Sequence, residues 1–298
     1  MQRAEALRAA DRTAEATAAR PGAFRQLTAL GREDTERAGT LLNNWGLVLG
    51  RLGRPLEAER MLRRSIAVSL AGGSDARVEA ISWSNLARAL TDLGRYEEAL
   101  PLVDRAVRLA RQRGDTVVAD QAQLQAARIY VFAGRLDHGQ ALLDDVEARF
   151  RRMFPSTHVA FTAVAIDRAR LALERGQLEL AARLADETVT AFAAEPRFQV
   201  VATAGAAAAC ARAPHARPVR RARADAERLL PLVRARAPEG LASSPVAGAR
   251  LLLGEALAGL GHTADARAQL TESLRETTDA AGADHPNARR ARELLAGL

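Results

Sequence analysis

The sequence predicts an all-α fold: a right-handed α-solenoid of about six helix pairs, closed by a C-terminal capping helix. Three observations carry this reading. Alanine, the best helix former and a poor strand former, supplies 67 of the 298 residues. Aromatic residues make up only 4%, so a thick aromatic core is excluded and helices must approach closely through small side chains. A turn segment recurs in one register at steps of 41, 40, 42, 41 and 44 residues, the signature of a stacked array.

Composition bounds the chemistry. A hydrophobic share of 48% and a charged share of 27% are those of a folded chain. All 43 basic residues are arginine. Without lysine there is no Walker-A phosphate loop, no Schiff-base lysine and no kinase lysine for ATP phosphates. The net charge of +7 is small against 79 formal charges. Cys210 is the only cysteine, which excludes an intrachain disulfide. The first residues, Met1-Gln2-Arg3-Ala4-Glu5, are charged and precede no apolar core of a signal peptide. The most apolar stretch, Phe198 to Ala211, is too short to cross a bilayer. A cytoplasmic chain without membrane insertion is the expectation.

Taken in order, residues 1–38 read as an N-terminal helical segment, with an alanine-rich helix over about 2–20 closed by Pro21-Gly22. The array follows over 39–284, with turns near 53, 94, 134, 176, 217 and 261. Its turns read Gly53-Arg54-Pro55, Gly94-Arg95-Tyr96, Gly134-Arg135-Leu136, Gly176-Gln177-Leu178, Arg217-Pro218-Val219 and Gly261-His262-Thr263. Seven residues before each turn stand Gly46, Ala87, Ala127, Ala169, Cys210 and Gly254. Five residues after it stand Ala58, Ala99, Gly139, Ala181, Ala222 and Ala266. Small residues on both arms let the paired helices close on each other. Larger ones, such as Leu49, Leu90, Tyr130 and Leu257 four before the turn, fill the space above. Glycine supplies the left-handed cap that ends the first helix. Residues 285–298 read as the capping helix that a solenoid needs.

The segment Trp83-Ser84-Asn85-Leu86-Ala87-Arg88-Ala89-Leu90, with Gly94-Arg95-Tyr96 and Ala99, resembles the tetratricopeptide repeat (TPR). The resemblance covers about 39–284. It implies an α-solenoid whose first helices line a concave protein-binding groove. The fifth copy departs most, since Arg217 stands for its turn glycine and its first helix is nearly all alanine. The period of 40–44 residues exceeds the usual ~34 by about two helical turns, one per helix. Such long repeats resemble those of kinesin light chains, as does the tail Asp284-His285-Pro286. The run Gly31-Arg32-Glu33-Asp34-Thr35-Glu36-Arg37-Ala38, with Asn43-Asn44-Trp45-Gly46 and Gly53-Arg54-Pro55, resembles the C-terminal TPR region of bacterial eukaryotic-like serine/threonine kinases. No kinase motif lies in this chain. That resemblance implies either a detached module or the substrate-recruiting arm of a longer product.

Candidate binding residues follow from the same register. Nine before the turn stand Asn44, Asn85, Gln125 and Asp167; six before it, Arg88, Arg128 and Arg170 follow Leu47. The two positions share a helix face. Carboxamides can both donate to and accept from a peptide backbone, and arginine offers a fork for carboxylate or phosphate. This ladder is read as a peptide clamp, against the plainer alternative of repeat-to-repeat hydrogen bonds and an Asp167/Arg170 pair. A second cluster, Arg217, Arg220, Arg221 and Arg223 with Arg212 and Arg228, suggests a polyanion. The lack of nearby aromatics for base stacking argues against nucleic acid. The five histidines lack zinc-ligand spacing, and no hydrolase or zincin motif appears. Cys210 reads as a buried, inert thiol, and Trp45 and Trp83 as core residues. The expectation is a non-catalytic protein-interaction scaffold without cofactor or metal, its partner a peptide segment or protein.

Overall fold

A computed structural model describes residue 22 and residues 25–32, 34–71, 79–155, 158–191, 196–237 and 239–298. The helix expected over 2–20 lies outside them. Among the described residues all regular structure is helical. From Glu36 onward the helices are α1 (Glu36–Arg51), α2 (Pro55–Ala71), α3 (Ala80–Asp92), α4 (Tyr96–Gln112), α5 (Thr116–Phe132), α6 (Leu136–Met153) and α7 (Ala160–Glu174). They continue as α8 (Leu178–Ala191), α9 (Pro196–Ala211), α10 (Ala216–Arg234), α11 (Ser244–Gly259), α12 (Thr263–Ala281) and α13 (Pro286–Ala296). The described chain divides into two compact units. One runs to Gln125 and includes 239–243; the other holds the rest.

In the first unit α1 begins at Thr35, whose hydroxyl accepts from the Ala38 amide at 3.4 Å, with Glu36 in the first turn and Arg51 in the last. These complement the helix dipole. The chain reverses at Gly53 and Gly94 with φ of 72° and 73°, a backbone region that side chains with a Cβ rarely adopt. Helix α1 packs on α2, α2 on α3, and α3 on both α4 and α1. A Cβ on Gly46 would stand 2.6 Å from Leu62 Cγ, so glycine sets the spacing of the α1–α2 pair. Trp83 is buried, and Trp45 packs half-buried against Ala38, Leu41, Leu42 and Val68. Arg95 in the second turn donates to Glu59 Oε1 at 2.7 Å and to Glu98 Oε1 at 2.6 Å, joining successive pairs at their edge. Ser243, 2% exposed, donates to the Leu52 carbonyl at 3.0 Å and fastens the segment 239–243 to the end of α1.

In the second unit the same alternation continues. Helix α7 packs on α6 and α8, and each later helix packs on its sequence neighbour. First helices also stack directly, α7 on α9 and α9 on α11. The unit ends on α13, whose fully buried Ala291 joins Leu251 and Leu270, with Leu294, Leu295 and Leu298 around them. Its Arg290 pairs with Glu255, 7% exposed on α11.

The fifth copy reverses differently from the sequence expectation. Helix α9 ends at Ala211, the chain bends over 212–215, and α10 starts at Ala216. Arg217 therefore lies inside the first turn of α10 instead of at a corner. The physical cause is the missing glycine: the other five corners sit at φ of 72° to 79°, which arginine avoids. The packing register survives this shift, since Cys210 is 6% exposed and Ala222 is fully buried.

Candidate functional site

The ladder residues hold the first helices together. In the first unit, Asn85 is 4% exposed, and its Nδ2 donates to Asn43 Oδ1 on α1 at 3.0 Å. Its Oδ1 accepts from Arg88 Nη2 at 2.9 Å. Gln125 is engaged at both ends: Oε1 accepts from Ser84 Oγ at 2.7 Å and Nε2 donates to the Ser84 carbonyl at 3.0 Å. Asn44 sits half-buried on α1. Two residues outside the expected set, Asn43 and Ser84, complete these links. Their signal in the sequence was adjacency alone, one residue before Asn44 and Asn85.

In the second unit Arg128 grips Asp167 with a fork, Nε to Oδ1 at 2.7 Å and Nη2 to Oδ2 at 3.1 Å. Asp167 is 2% exposed. It therefore pairs across repeats, with an arginine 39 residues earlier in the chain. Arg170 lies 3.6 Å from Glu174 and stacks its guanidinium 5.1 Å from the Phe132 ring centroid. The carboxamides and the carboxylate thus serve the framework, while Arg88 is exposed and Arg128 and Arg170 stay 35% and 34% exposed. Arg88 and Arg128 are held in place by buried neighbours, Asn85 and Asp167.

The arginines of the fifth copy separate into two sets. Arg221 pairs with Asp186 on α8 and lies 3.5 Å from Asp225, Arg228 pairs with Asp225, and Arg223 pairs with Glu227 at 2.8 Å. Arg217 and Arg220 stand exposed on α10. Beside them a cleft of about 870 Å³ opens between α8 and α10 over the end of α9. Cys210 forms part of its floor. Burial pushes the thiol above its ordinary pKa, and nearby Arg221 opposes that rise. The sequence reading did not find the cleft.

Among the described residues no three His, Cys, Asp or Glu side chains converge on a metal position. No described helix is long and apolar enough to cross a membrane.

The tetratricopeptide repeat family model matches residues 36–112 and 78–152. A tetratricopeptide repeat protein from Parabacteroides merdae is similar at 17% identity and a TM-score of 0.54, over 99% of this chain and 95% of that one. Yeast Tom70 is similar at 12% identity and a TM-score of 0.50, over 96% of this chain and 58% of that one. A putative kinesin light chain of Podosopora anserina aligns at 21% identity and a TM-score of 0.45, over 66% of this chain and 94% of that one. No curated protein matches. The tetratricopeptide repeat model thus covers residues 36–152, and the all-α fold of the chain is similar to the solenoids of tetratricopeptide repeat proteins.

Proposed function

We propose that the chain is a non-catalytic scaffold that holds a segment of a partner protein on the first-helix face of its repeats. One observation carries the reading. Hydrogen bonds hold arginines at a recurring position open to solvent: Arg88 on Asn85 of its own helix, and Arg128 on Asp167 of the next first helix. Such pre-positioned guanidiniums meet a carboxylate or phosphate on a partner with little loss of side-chain freedom. Asn85, Gln125 and Asp167 act behind them as supports, and Asn44 lies half-buried on the same face. The resemblance of the segment from Gly31 to the kinase-borne repeats supports a setting in signalling, with the scaffold recruiting substrates. The polyanion reading draws less support, because Arg221 and Arg223 already have carboxylate partners.

The test is affinity capture from native lysate, read by quantitative mass spectrometry. Wild type runs beside Arg88→Glu and Arg170→Glu, with Arg128 left to hold Asp167. Circular dichroism checks that helicity is equal. A protein retained by wild type and depleted about tenfold or more by either variant is the expected result, the scale of one charged hydrogen bond. Equal recovery from all three removes the ladder as the site.

A further inference from the structure

The cleft between α8 and α10 arises where the repeat register runs short of side chain. Its lining includes Ala209 and Ala213. At the register of Ala213 the other copies carry Leu49, Leu90, Tyr130, Ala172 and Leu257; at that of Ala209 they carry Trp45, Leu86, Ala126, Arg168 and Leu253. The fifth copy alone has alanine at both positions, where each other copy has at least one large side chain. Leu178, Ala182 and Pro218 extend the apolar wall. A cleft of about 870 Å³ falls within the range of sites for small molecules, roughly 300–1,000 Å³.

The charges at its rim are uneven in a way that stability does not explain. Asp186 is matched by Arg221, and Glu187 lies 3.8 Å from Arg183. Glu179 occupies the first turn of α8, where a carboxylate complements the helix dipole. Helix α10 has the opposite arrangement. It has no acidic residue in its first turn and no side-chain cap from His215, and it places Arg217 there. Arg217 is exposed and has no carboxylate partner among the described residues. A cation at a helix N-terminus is unfavourable for the helix. An arginine fork and a bare helix start at the mouth of an apolar cleft are complementary to an anionic head on an apolar body.

We infer that this cleft binds an amphiphilic organic carboxylate, its chain over Ala209, Cys210 and Ala213 and its head at Arg217. The site is independent of the first-helix face, so its failure leaves that reading untouched.

Decanoate, below its micellar concentration, is the probe. Binding is measured by isothermal titration calorimetry on the full chain. Location is read from alkylation of Cys210, the only cysteine, by the neutral reagent N-ethylmaleimide. The expected result is saturable binding with one site and alkylation that slows to a plateau as the site fills. Arg217→Glu is expected to weaken binding about tenfold or more. That substitution places an acid in the first turn of α10, which favours the helix, so lost binding is not lost folding. Ala213→Leu introduces the side-chain size that Leu49, Leu90 and Leu257 have at this register and is expected to abolish binding while the protein stays folded. No saturable binding, unchanged alkylation, or wild-type affinity in either variant overturns the inference. So does equal affinity for decyltrimethylammonium, which has the same chain and a cationic head.

Discussion

Beside three of the corners, at Gly46, Gly139 and Gly254, there is no room for a further carbon. A Cβ on Gly139 would lie 2.6 Å from Val131 Cγ2 and 3.1 Å from the Ala127 carbonyl, and one on Gly254 would lie 2.7 Å from Leu270 Cγ. Gly46→Val is expected to destabilise the protein by about 1–3 kcal/mol through overpacking, seen as a lower thermal midpoint. Gly205, within α9, has no atom within 4 Å of a Cβ position. There Gly205→Ala is expected to raise stability by about 0.5–1 kcal/mol through helix propensity. Opposite shifts from two helical glycines separate packing from propensity in one experiment. These small positions were legible in the sequence because they recur at a fixed offset. The partner of Asp167 was not. Arg170, three residues on, is visible along the chain, whereas Arg128 lies 39 residues away and meets it only once the first helices stack.

Between elements, the Arg128–Asp167 fork links α5 to α7. Removing the arginine leaves a carboxylate 2% exposed without its fork, so Arg128→Ala is expected to cost about 3 kcal/mol. Arg170→Ala, from a pair a third exposed on both sides, is expected to cost less than about 1 kcal/mol. Urea titration of both variants checks the contrast. At the α2–α4 edge, hydrogen bonding to Arg95 holds the Glu98 carboxyl below its ordinary pKa. A depressed folded pKa means that this contribution is present above the unfolded carboxylate value, ~4.3. It is lost as pH falls through the lower folded value. Arg95→Gln is accordingly expected to shallow the acid limb of the thermal midpoint against pH. At this scale the helix pairs were legible in the sequence from glycine corners and small-residue register. The corner of the fifth copy was not, because a register without its glycine fixes where helices pack but not where the chain turns.

At the scale of the whole molecule, the end of the array is sealed by α13. Deleting 286–298 would uncover Leu251 and Leu270 and strip Glu255 of Arg290. The truncated chain is expected to melt at a lower temperature and to enhance the fluorescence of an apolar dye such as ANS, as an uncapped solenoid end should. The repeat count and this cap were readable from the sequence. The division into two compact units was not, because periodicity reports neighbours in the chain and is blind to a link such as Ser243 to Leu52. That link has a temporal consequence. Its donor follows its acceptor by 191 residues. At ~5–20 residues per second of translation, the ribosome needs about 10–40 s to deliver it. The first unit therefore waits, its α1 end still lacking that donor, until most of the polypeptide has been synthesised.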